Sequence, residues 1–280
     1  MHKHCAAIFL LLLLSFSCAG QANAIDPYDA VALSQGWVLS TYLSYYSAPK
    51  YLDKNGDVIP AALNLKAYET TLRLTGYNKS ILPNTLGVTL LAPAGRMDVR
   101  GDHTIALGDI SLAAGYWFID NPLTKTYLVA GLYIDIPTGP YNMRNTANMG
   151  ANVWKFRPTV GYAQQWGGLK VEAAVKYNIY SKNTDTQVKN GSELITELYS
   201  GYFILPYLLF GANINGTFGQ DSTARGIQID DSGVQRLQAG PSLYLVTGKR
   251  SSITFVALSE FDVRNSARGN LLYTRFVLRF

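Results

Sequence analysis

The sequence predicts an all-β protein, an up-and-down antiparallel transmembrane β-barrel of about twelve strands. Segments of about ten residues alternate between apolar and polar side chains, as strands with two unlike faces do. Long polar connections alternate along the chain with short turns. Charged residues make up only 15% of the chain, whereas aromatic residues make up 12% and 19 residues are tyrosines. This composition is typical of membrane barrels, which carry aromatic girdles at both interfaces.

Residues 1–24 have the three parts of a secretory signal peptide. A basic start at Lys3 precedes an apolar stretch at 6–14, and the small-residue sequence Ala22-Asn23-Ala24 follows. The apolar stretch is too short to span a bilayer, so we expect export and cleavage after Ala24. The alternative is a lipidated Cys18, although the residues before it lack the leucine typical of such sites.

The chain after residue 24 contains no cysteine, because Cys5 and Cys18 both lie in the leader. An exported domain without disulfides must be stabilised by other means. The net charge is +5 and the basic residues form no long run, which argues against a nucleic-acid partner. We interpret residues 25–33 as a short periplasmic segment and 34–280 as the barrel.

About twelve segments carry the strand pattern. In residues 170–180, for example, Val171 and Val175 share one face, and Glu172 and Lys176 share the other. In chain order the predicted strands cover 34–47, 63–75, 84–92, 108–118, 127–136, 154–164, 170–180, 193–204, 207–218, 235–246, 251–262 and 271–280. The apolar face should contact lipid, and it includes Leu128, Leu132, Val171, Val175, Ile179 and Phe276.

The connections sort into two classes. Long, polar ones should lie outside the cell and short ones in the periplasm, as in outer-membrane barrels. The long connections cover 48–62, 93–106, 137–153, 181–192 and 219–234, with a shorter one at 263–268. The short connections cover 76–83, 119–125, 166–168, 205–206 and 247–249. The alternation slips near Ala67-Tyr68, which indicates a β-bulge there or a misjudged strand boundary.

The last predicted strand, 271–280, alternates to its final residue, Phe280. A membrane barrel has no free edge only if its first and last strands pair, so this strand should close against residues 34–47. A terminal phenylalanine on the lipid side also resembles the signature that outer-membrane proteins present to their assembly machinery. We therefore expect the outer membrane of a Gram-negative bacterium, where lipid and lipopolysaccharide surround the barrel.

Several motifs together resemble the family named for the meta-pathway of phenol degradation, a set of outer-membrane transporters. The strongest is "IDIPTGPY" at 134–141, a strand leading into a Pro-Thr-Gly-Pro turn. The others lie at 42–56, 107–117, 157–168, 239–245 and 259–270. The resemblance implies a barrel and passage of small, often apolar or aromatic molecules. It brings no catalytic residues and no particular substrate.

Catalytic and metal chemistry find little support in the sequence. The chain after the leader has one histidine, His103, and no cysteine, so it lacks the ligands that transition metals usually need. His103 beside Asp102 could serve a barrel hydrolase, but no Gly-flanked serine stands near them. Loop carboxylates could hold Ca²⁺, but their spacing matches no calcium loop. We therefore predict no enzyme activity, no cofactor and no metal.

Charged residues on the inward faces of the strands are the candidate lining of a lumen. In a barrel of this size, charges of both signs pair with each other or line a narrow path. The candidates are Glu69, Arg73, Asp109, Asp135, Arg157, Glu172, Lys176, Glu197, Arg236, Glu260, Arg275 and Arg279.

The sequence leaves two classes of function open. One is passive passage of small, weakly polar or aromatic molecules through the lumen. The other is a barrel that transports nothing and has a structural or adhesive role, or less readily a hydrolase. A continuous, water-accessible lumen favours the first class, and a plugged lumen under ordered outer loops favours the second.

Overall fold

A computed structural model describes residues 25–33, 35–60 and 63–280. The leader predicted for residues 1–24 lies outside this part of the chain, so its cleavage stays a prediction. Within the described ranges, no helix is long and apolar enough to cross a membrane. Thirteen hydrogen-bonded segments form one antiparallel sheet, and two of them are the halves of one strand, which leaves twelve strands.

The strands of the barrel are numbered in chain order. Strand β4 consists of two halves, β4a and β4b, separated by Gly108 and Asp109. The bounds are β1 Gly36–Leu52, β2 Leu65–Asn78, β3 Leu86–Val99, β4a Asp102–Leu107, β4b Ile110–Asn121, β5 Thr126–Ile136, β6 Lys155–Trp166, β7 Leu169–Tyr180, β8 Glu193–Leu205, β9 Leu208–Gly219, β10 Gln235–Gly248, β11 Ser251–Arg264 and β12 Ser266–Arg279.

The barrel closes between its first and last strands, as predicted. Val38 pairs with Arg279 and Tyr42 with Arg275 along this seam. At the end of the seam, Trp37 N donates to Phe280 O (2.8 Å) and Phe280 N donates to Trp37 O (2.9 Å). The chain's last residue thus completes the hydrogen-bonded wall, and the predicted all-β closed barrel is confirmed.

Two predicted loops are strand instead. Residues 93–106 form the end of β3 and all but the last residue of β4a, joined by a two-residue turn at Arg100-Gly101. Residues 263–268 belong to β11 and β12 except for Asn265. Both stretches carry charged and polar side chains on faces that lie beyond the hydrocarbon, so their composition is that of a loop although their backbone is paired.

The predicted bulge at Ala67-Tyr68 is wrong, because β2 pairs without a register shift on both sides. The irregularity lies in the neighbouring strand, between Ser47 and Lys50 of β1. There the extra residue turns Lys50 outward and Tyr51 inward, since a one-residue slip exchanges the two faces of a strand.

The outer surface is apolar over the middle of the strands. Leu132, Val175, Ile179 and Phe276 are 39–50% exposed, as expected for side chains that face lipid. Aromatic residues mark the two ends of this surface, with Trp37, Trp166 and Tyr207 at the end that carries the short turns and Trp154 at the other. Trp and Tyr favour membrane interfaces, so the end with the short turns and the C-terminus is the periplasmic end.

Candidate functional site: the plugged lumen

Residues 25–33, which we name the plug, lie inside the barrel rather than in the periplasm before it. Asn213 Nδ2 donates to Ile25 O (2.6 Å), and Trp117 Nε1 donates to Ala30 O (2.8 Å). Ile25 and Asp26 are almost wholly buried. Inward side chains of the wall hydrogen-bond the backbone and the carboxylates of the plug and so hold it in the lumen. An alternation pattern within strands does not reveal such contacts.

The plug is folded as a tight turn. Asp29 N donates to Asp26 O (3.0 Å), and Asp26 N donates to Asp29 Oδ2 (3.2 Å). Tyr28 lies between them with φ at 72°, a left-handed conformation that costs a non-glycine residue about 1–3 kcal/mol. Glu172 holds this conformation by accepting from the backbone N–H groups of Tyr28 and Ala30.

Arg275 of β12 is the main anchor of the plug. Its Nη1 donates to Asp29 Oδ1 and its Nη2 donates to Pro27 O, each at 2.6 Å. Arg73 of β2 also donates to Asp29 Oδ1 (3.1 Å). Charge-assisted bonds of this kind are about twice as strong as neutral ones, so two arginines bind one carboxylate of the plug to two strands.

The two carboxylates of the plug have opposite electrostatic situations. Burial raises the pKa of Asp26 to about 7, against the opposing charge of Arg275. Burial also acts to raise the pKa of Asp29, but Arg275 and Arg73 outweigh it and the pKa falls below its usual value. Asp26 accepts from the hydroxyl of Tyr273 (2.6 Å). Near neutral pH, therefore, Asp29 is an anion and Asp26 is poised between its two forms.

Tyr28 carries the plug's contact with the opposite wall. Its ring lies 4.0 Å from Lys170 Nζ and 5.2 Å from the ring of Tyr244. Lys170 in turn pairs with Glu172 at 2.9 Å, and both side chains are buried. A lysine with a carboxylate partner and an aromatic face is a compensated buried charge.

Further charges pair across the inner wall of β5 to β8. Asp135 contacts Lys155 Nζ (2.6 Å) and Arg157 Nη2 (3.0 Å). Lys176 pairs with Glu197 at 2.7 Å. These pairs lie between adjacent strands, so they line the wall rather than cross the lumen.

One more charged group lies on the inner faces of β1, β10 and β11. Glu260 accepts from the hydroxyl of Tyr46 (3.0 Å) and lies 3.5 Å from Arg236 Nη1. Gly269 N also donates to it (2.7 Å). Tyrosines flank this group, and Tyr42, Tyr46 and Tyr273 are all buried. This side of the lumen is therefore aromatic, and the charges beside the tyrosines are paired with one another.

The loop 137–154, which we name the lid, covers the extracellular mouth. Ala147 and Met149 are completely buried against Met97 and Leu63 in an apolar cluster. Asp109, at the break in β4, accepts from the backbone amides of Gly139 and Ala151, both at 2.9 Å.

The Pro-Thr-Gly-Pro turn supplies the first part of the lid's attachment. Thr138 Oγ1 accepts from Ile110 N (2.9 Å) at the start of β4b. Gly108 N donates to Pro93 O (2.9 Å) on the facing strand. The motif and the break in β4 thus form one structural unit, and that unit seats the lid.

Cavities remain beside the plug at the periplasmic end. One of about 500 Å³ is lined by Tyr28, Val31, Tyr127, Lys170 and Phe203. A much smaller one, about 50 Å³, lies on the other side of the plug against Arg73 and Arg275. Single-ring molecules fit pockets of this larger size, so the plug stands between the lumen and a roomy periplasmic vestibule.

The twelve predicted lining residues all lie on the inner side of the wall. Their part in solute passage stays a prediction. Eight are buried, namely Glu69, Asp109, Asp135, Arg157, Glu172, Glu197, Glu260 and Arg275. Four are partly buried, namely Arg73, Lys176, Arg236 and Arg279. The structure brings Arg73, Glu172 and Arg275 together around the plug and distributes the others along the wall.

The sequence analysis missed Asp26 and Asp29 of the plug. A signal was present, because inward Arg73 and Arg275 have no acidic neighbour directly across a strand pair. Arg73 pairs with Ser40 of β1 and has Thr71 as its inward neighbour along β2. Arg275 pairs with Tyr42 of β1. Their partners had to come from elsewhere in the chain.

His103 and Asp102 do not form a catalytic pair. Asp102 Oδ2 accepts from the backbone amides of Thr146 and Ala147 (2.9 and 3.1 Å), and so belongs to the seat of the lid. His103 is exposed. Over residues 25–33, 35–60 and 63–280, no group of three or more His, Cys, Asp or Glu could hold a metal.

Comparison with known proteins agrees with this architecture. The model of the family described as "Putative MetA-pathway of phenol degradation" matches residues 50–276. No curated protein matches the chain. Among solved structures, the COG4313 outer membrane channel from Pseudomonas putida F1 is similar at 21% identity and a TM-score of 0.82, covering 91% of this chain and 100% of that one.

Two more distant structures share the fold. The CymD monoaromatic hydrocarbon channel aligns at 8% identity and a TM-score of 0.52, covering 89% of each chain. The translocator domain of the autotransporter NalP from Neisseria meningitidis aligns at 12% identity and a TM-score of 0.53, covering 95% of this chain and 93% of that one. The shared fold is that of an outer-membrane β-barrel, which confirms the predicted fold class.

Proposed function

We propose, since the chain belongs to the family described as "Putative MetA-pathway of phenol degradation", that it is a passive outer-membrane channel for small, weakly polar or aromatic molecules. Solute would pass from the extracellular mouth along the tyrosine-rich side of the lumen and leave past the plug. Passage of this kind would follow the concentration gradient.

The observation that carries the proposal is the way the plug is held. It is a short segment that joins β1 at its C-terminal end. Hydrogen bonds and ion pairs tie it to the wall, and Ile25, Ala30 and Ala32 pack into two apolar clusters of the wall. Because buried ion pairs roughly break even against hydration and the segment adds only a few apolar side chains to these clusters, moving it into periplasmic water costs less than unpacking a whole apolar core. A removable segment leaves a path, whereas wall side chains that fill a barrel do not.

The solute class rests on the lining and on the comparisons. Tyr42, Tyr46, Tyr77, Tyr127 and Tyr273 are buried on inward positions, and aromatic rings favour flat, weakly polar partners. The family description names phenol degradation, and a protein of the same fold is named as a monoaromatic hydrocarbon channel. Phenol is therefore the first probe to use.

The test compares the full-length protein with a variant that lacks plug residues 26–32. Both would be refolded into proteoliposomes, and uptake of phenol and of a sugar such as arabinose would be measured. We expect the deletion to raise uptake and single-channel conductance, with phenol favoured over the sugar in the full-length protein. Absence of phenol uptake and of conductance in both proteins, with the barrel folded by heat-modifiable gel mobility, would defeat the proposal.

A structural barrel without transport is the second candidate, because the lumen is plugged from below and the lid is ordered above. The NalP domain shows that the fold is also found in proteins that are not named as channels. The two candidates differ in one measurable property. In a structural barrel, deleting the plug would lower the stability of the fold and create a pore absent from the full-length protein under every condition.

A further inference from the structure

One side of the barrel has a groove on its outer, lipid-facing surface. The depression has a volume of about 700 Å³ and spans β1, β2, β9, β10, β11 and β12. Its lining includes the half-exposed side chains of Leu43, Phe210, Phe255 and Leu272. A barrel wall is normally convex toward lipid, so a depression of this size marks a place where something from the bilayer can be seated.

Register explains the groove. Six outward positions form one row across the sheet, namely Thr70, Leu43, Thr274, Phe255, Leu243 and Phe210. Small side chains, Thr70 and Thr274, flank Leu43 within this row. In the next row Ala257 and Pro241 are also small, and the β10–β11 ladder has no paired residues at Pro241. Large aromatic and aliphatic side chains therefore stand around a floor of small ones.

A second depression, polar rather than apolar, adjoins the first. It has a volume of about 660 Å³ and is lined by Asn64, Lys66, Tyr68, Arg96 and Asp98. Tyr68 lines both depressions, so they are continuous over the outer face. Asp98 accepts from Nε and Nη2 of Arg96 at 2.7–3.0 Å, which holds the guanidinium at this level.

The polar depression lies at the depth of the outer membrane interface. Trp37 marks the periplasmic interface, and Ser47, ten residues further along β1, pairs with Lys66. A strand rising about 3.3 Å per residue and tilted by about 40° climbs about 25 Å over that distance, the height of the apolar band of such barrels. Lys66 therefore stands where lipid headgroups of the outer leaflet lie.

Among the outward strand positions that the structure describes, basic residues collect on this side of the barrel. Lys50 pairs with Arg268 across the β1–β12 seam and both are exposed, one step above the row of Lys66. Arg264 lies at the same end of β11. By contrast, the outward positions of β5 to β9, all within described residues, carry no charged side chain. With Asp98 and Asp262 counted, the basic side still has more cations than anions.

From these features we infer that the face formed by β1, β2, β3, β11 and β12 is a binding site for an anionic, phosphate-bearing lipid of the outer leaflet. Lys66 and Arg96 would bind a headgroup phosphate, with Lys50 and Arg268 close to further anionic groups. An acyl chain of the same molecule would lie in the groove over Thr274 and Ala257. Cations at a membrane interface above an apolar groove match an anionic amphiphile in both charge and depth.

The experiment measures lipid retention by native mass spectrometry of the full-length protein after exchange into detergent with lipid A, dephosphorylated lipid A or phosphatidylethanolamine. We expect lipid A to be retained and the other two to be retained at least about tenfold less, since one charge-assisted contact is worth about that factor. Lys66→Gln with Arg96→Gln should remove the preference for the phosphorylated form. Thr274→Phe, which fills the groove, should weaken retention of both forms of lipid A.

Two matched variants serve as controls. Arg225→Gln removes a cation from an extracellular loop, and Thr196→Phe places the same bulk on the outward face of β8. Both should retain lipid A like the wild type, and heat-modifiable gel mobility would show that all variants are folded. Equal retention of lipid A and its dephosphorylated form by the wild type would overturn the inference. So would unchanged retention in the Lys66/Arg96 variant, or an equal loss in the two controls.

Discussion

Arg275 Nη1 donates a hydrogen bond to Asp29 Oδ1 at 2.6 Å, which ties the N-terminal segment of the chain to the last strand of the barrel. The same guanidinium holds Pro27 O through its other nitrogen. Arg73 approaches the same carboxylate oxygen from β2, on the far side of β1. The plug is thus held across the closing seam rather than by one strand.

Arg275→Gln should release the plug. Removing one partner of a buried pair leaves the other charge uncompensated, which costs about 3–5 kcal/mol, or a shift of the docking equilibrium by about a hundredfold or more. We expect higher single-channel conductance and faster labelling of a cysteine placed at Val31. Arg236→Gln, an inward arginine paired with Glu260, is the control. Equal effects of the two substitutions would contradict the anchoring role of Arg275.

Docking of the plug should weaken as pH rises from about 4 to about 7. Burial raises the pKa of Asp26 from 3.8 to about 7, so the docked plug holds a proton that the released plug has lost in this range. The contribution of Asp26 to docking is then largest below pH 3.8, falls through the interval and levels off above about 7. Asp29, whose pKa is lowered, strengthens docking throughout this interval, and its contribution is lost only as the pH falls below 3.8.

Labelling of the Val31 cysteine at several pH values checks this behaviour. Asp26→Asn removes the titrating group while keeping the size of the side chain. In this variant, ionisation of residue 26 therefore contributes nothing to the pH dependence of labelling. The ratio of the two proteins isolates the effect from the intrinsic pH dependence of the thiol reaction. A constant ratio between pH 4 and 7 would argue against the raised pKa.

Leu132→Arg should destabilise the barrel by about 2–4 kcal/mol, because a charge then faces the hydrocarbon. The matched change is Gln238→Arg, on an inward position that pairs with Glu260, where we expect a much smaller loss. Urea titrations of refolding into liposomes would compare the two. Equal losses would mean that the inward and outward faces are assigned incorrectly.

Gly150→Val should detach the lid without opening the barrel wall. A Cβ at this position would lie 2.2 Å from Gly139 O and 2.5 Å from its carbonyl carbon, and backbone atoms cannot give way as a flexible side chain can. We expect cleavage of the loop 137–154 by proteinase K in proteoliposomes, with the strands still protected. Arg144→Ala, an exposed change in the same loop, should leave the loop resistant.

The fold was predictable wherever lipid acts on one face of a strand. Val175 and Ile179 had to alternate with Lys176 and Asn178, because hydrocarbon on one side and paired charge on the other select opposite residues. Beyond the bilayer this selection stops. Arg96 and Asp98 continue β3 with polar outward side chains, so the composition indicates a loop while the hydrogen bonds continue.

The candidate site was predictable only in its wall. Inward charges such as Glu172 and Arg275 appear in the alternation of their own strands. Their partners, Tyr28 N and Asp29, lie in a turn without periodicity, and contacts across 144 and 246 residues leave no local pattern. The lid was hidden for the same reason, since Asp109 binds amides of Gly139 and Ala151 that alternation does not relate to it.

The anchoring of the plug has a consequence for the order of assembly. Its carboxylates need Arg73, Tyr273 and Arg275 at once, and two of these belong to the last strand to be synthesised. The plug can therefore dock only after β12 has paired with β1, so the lumen is closed only once the barrel wall is complete. A barrel that closes with the wrong register at its last strand would leave this segment exposed in the periplasm, where proteases can recognise an unfinished protein.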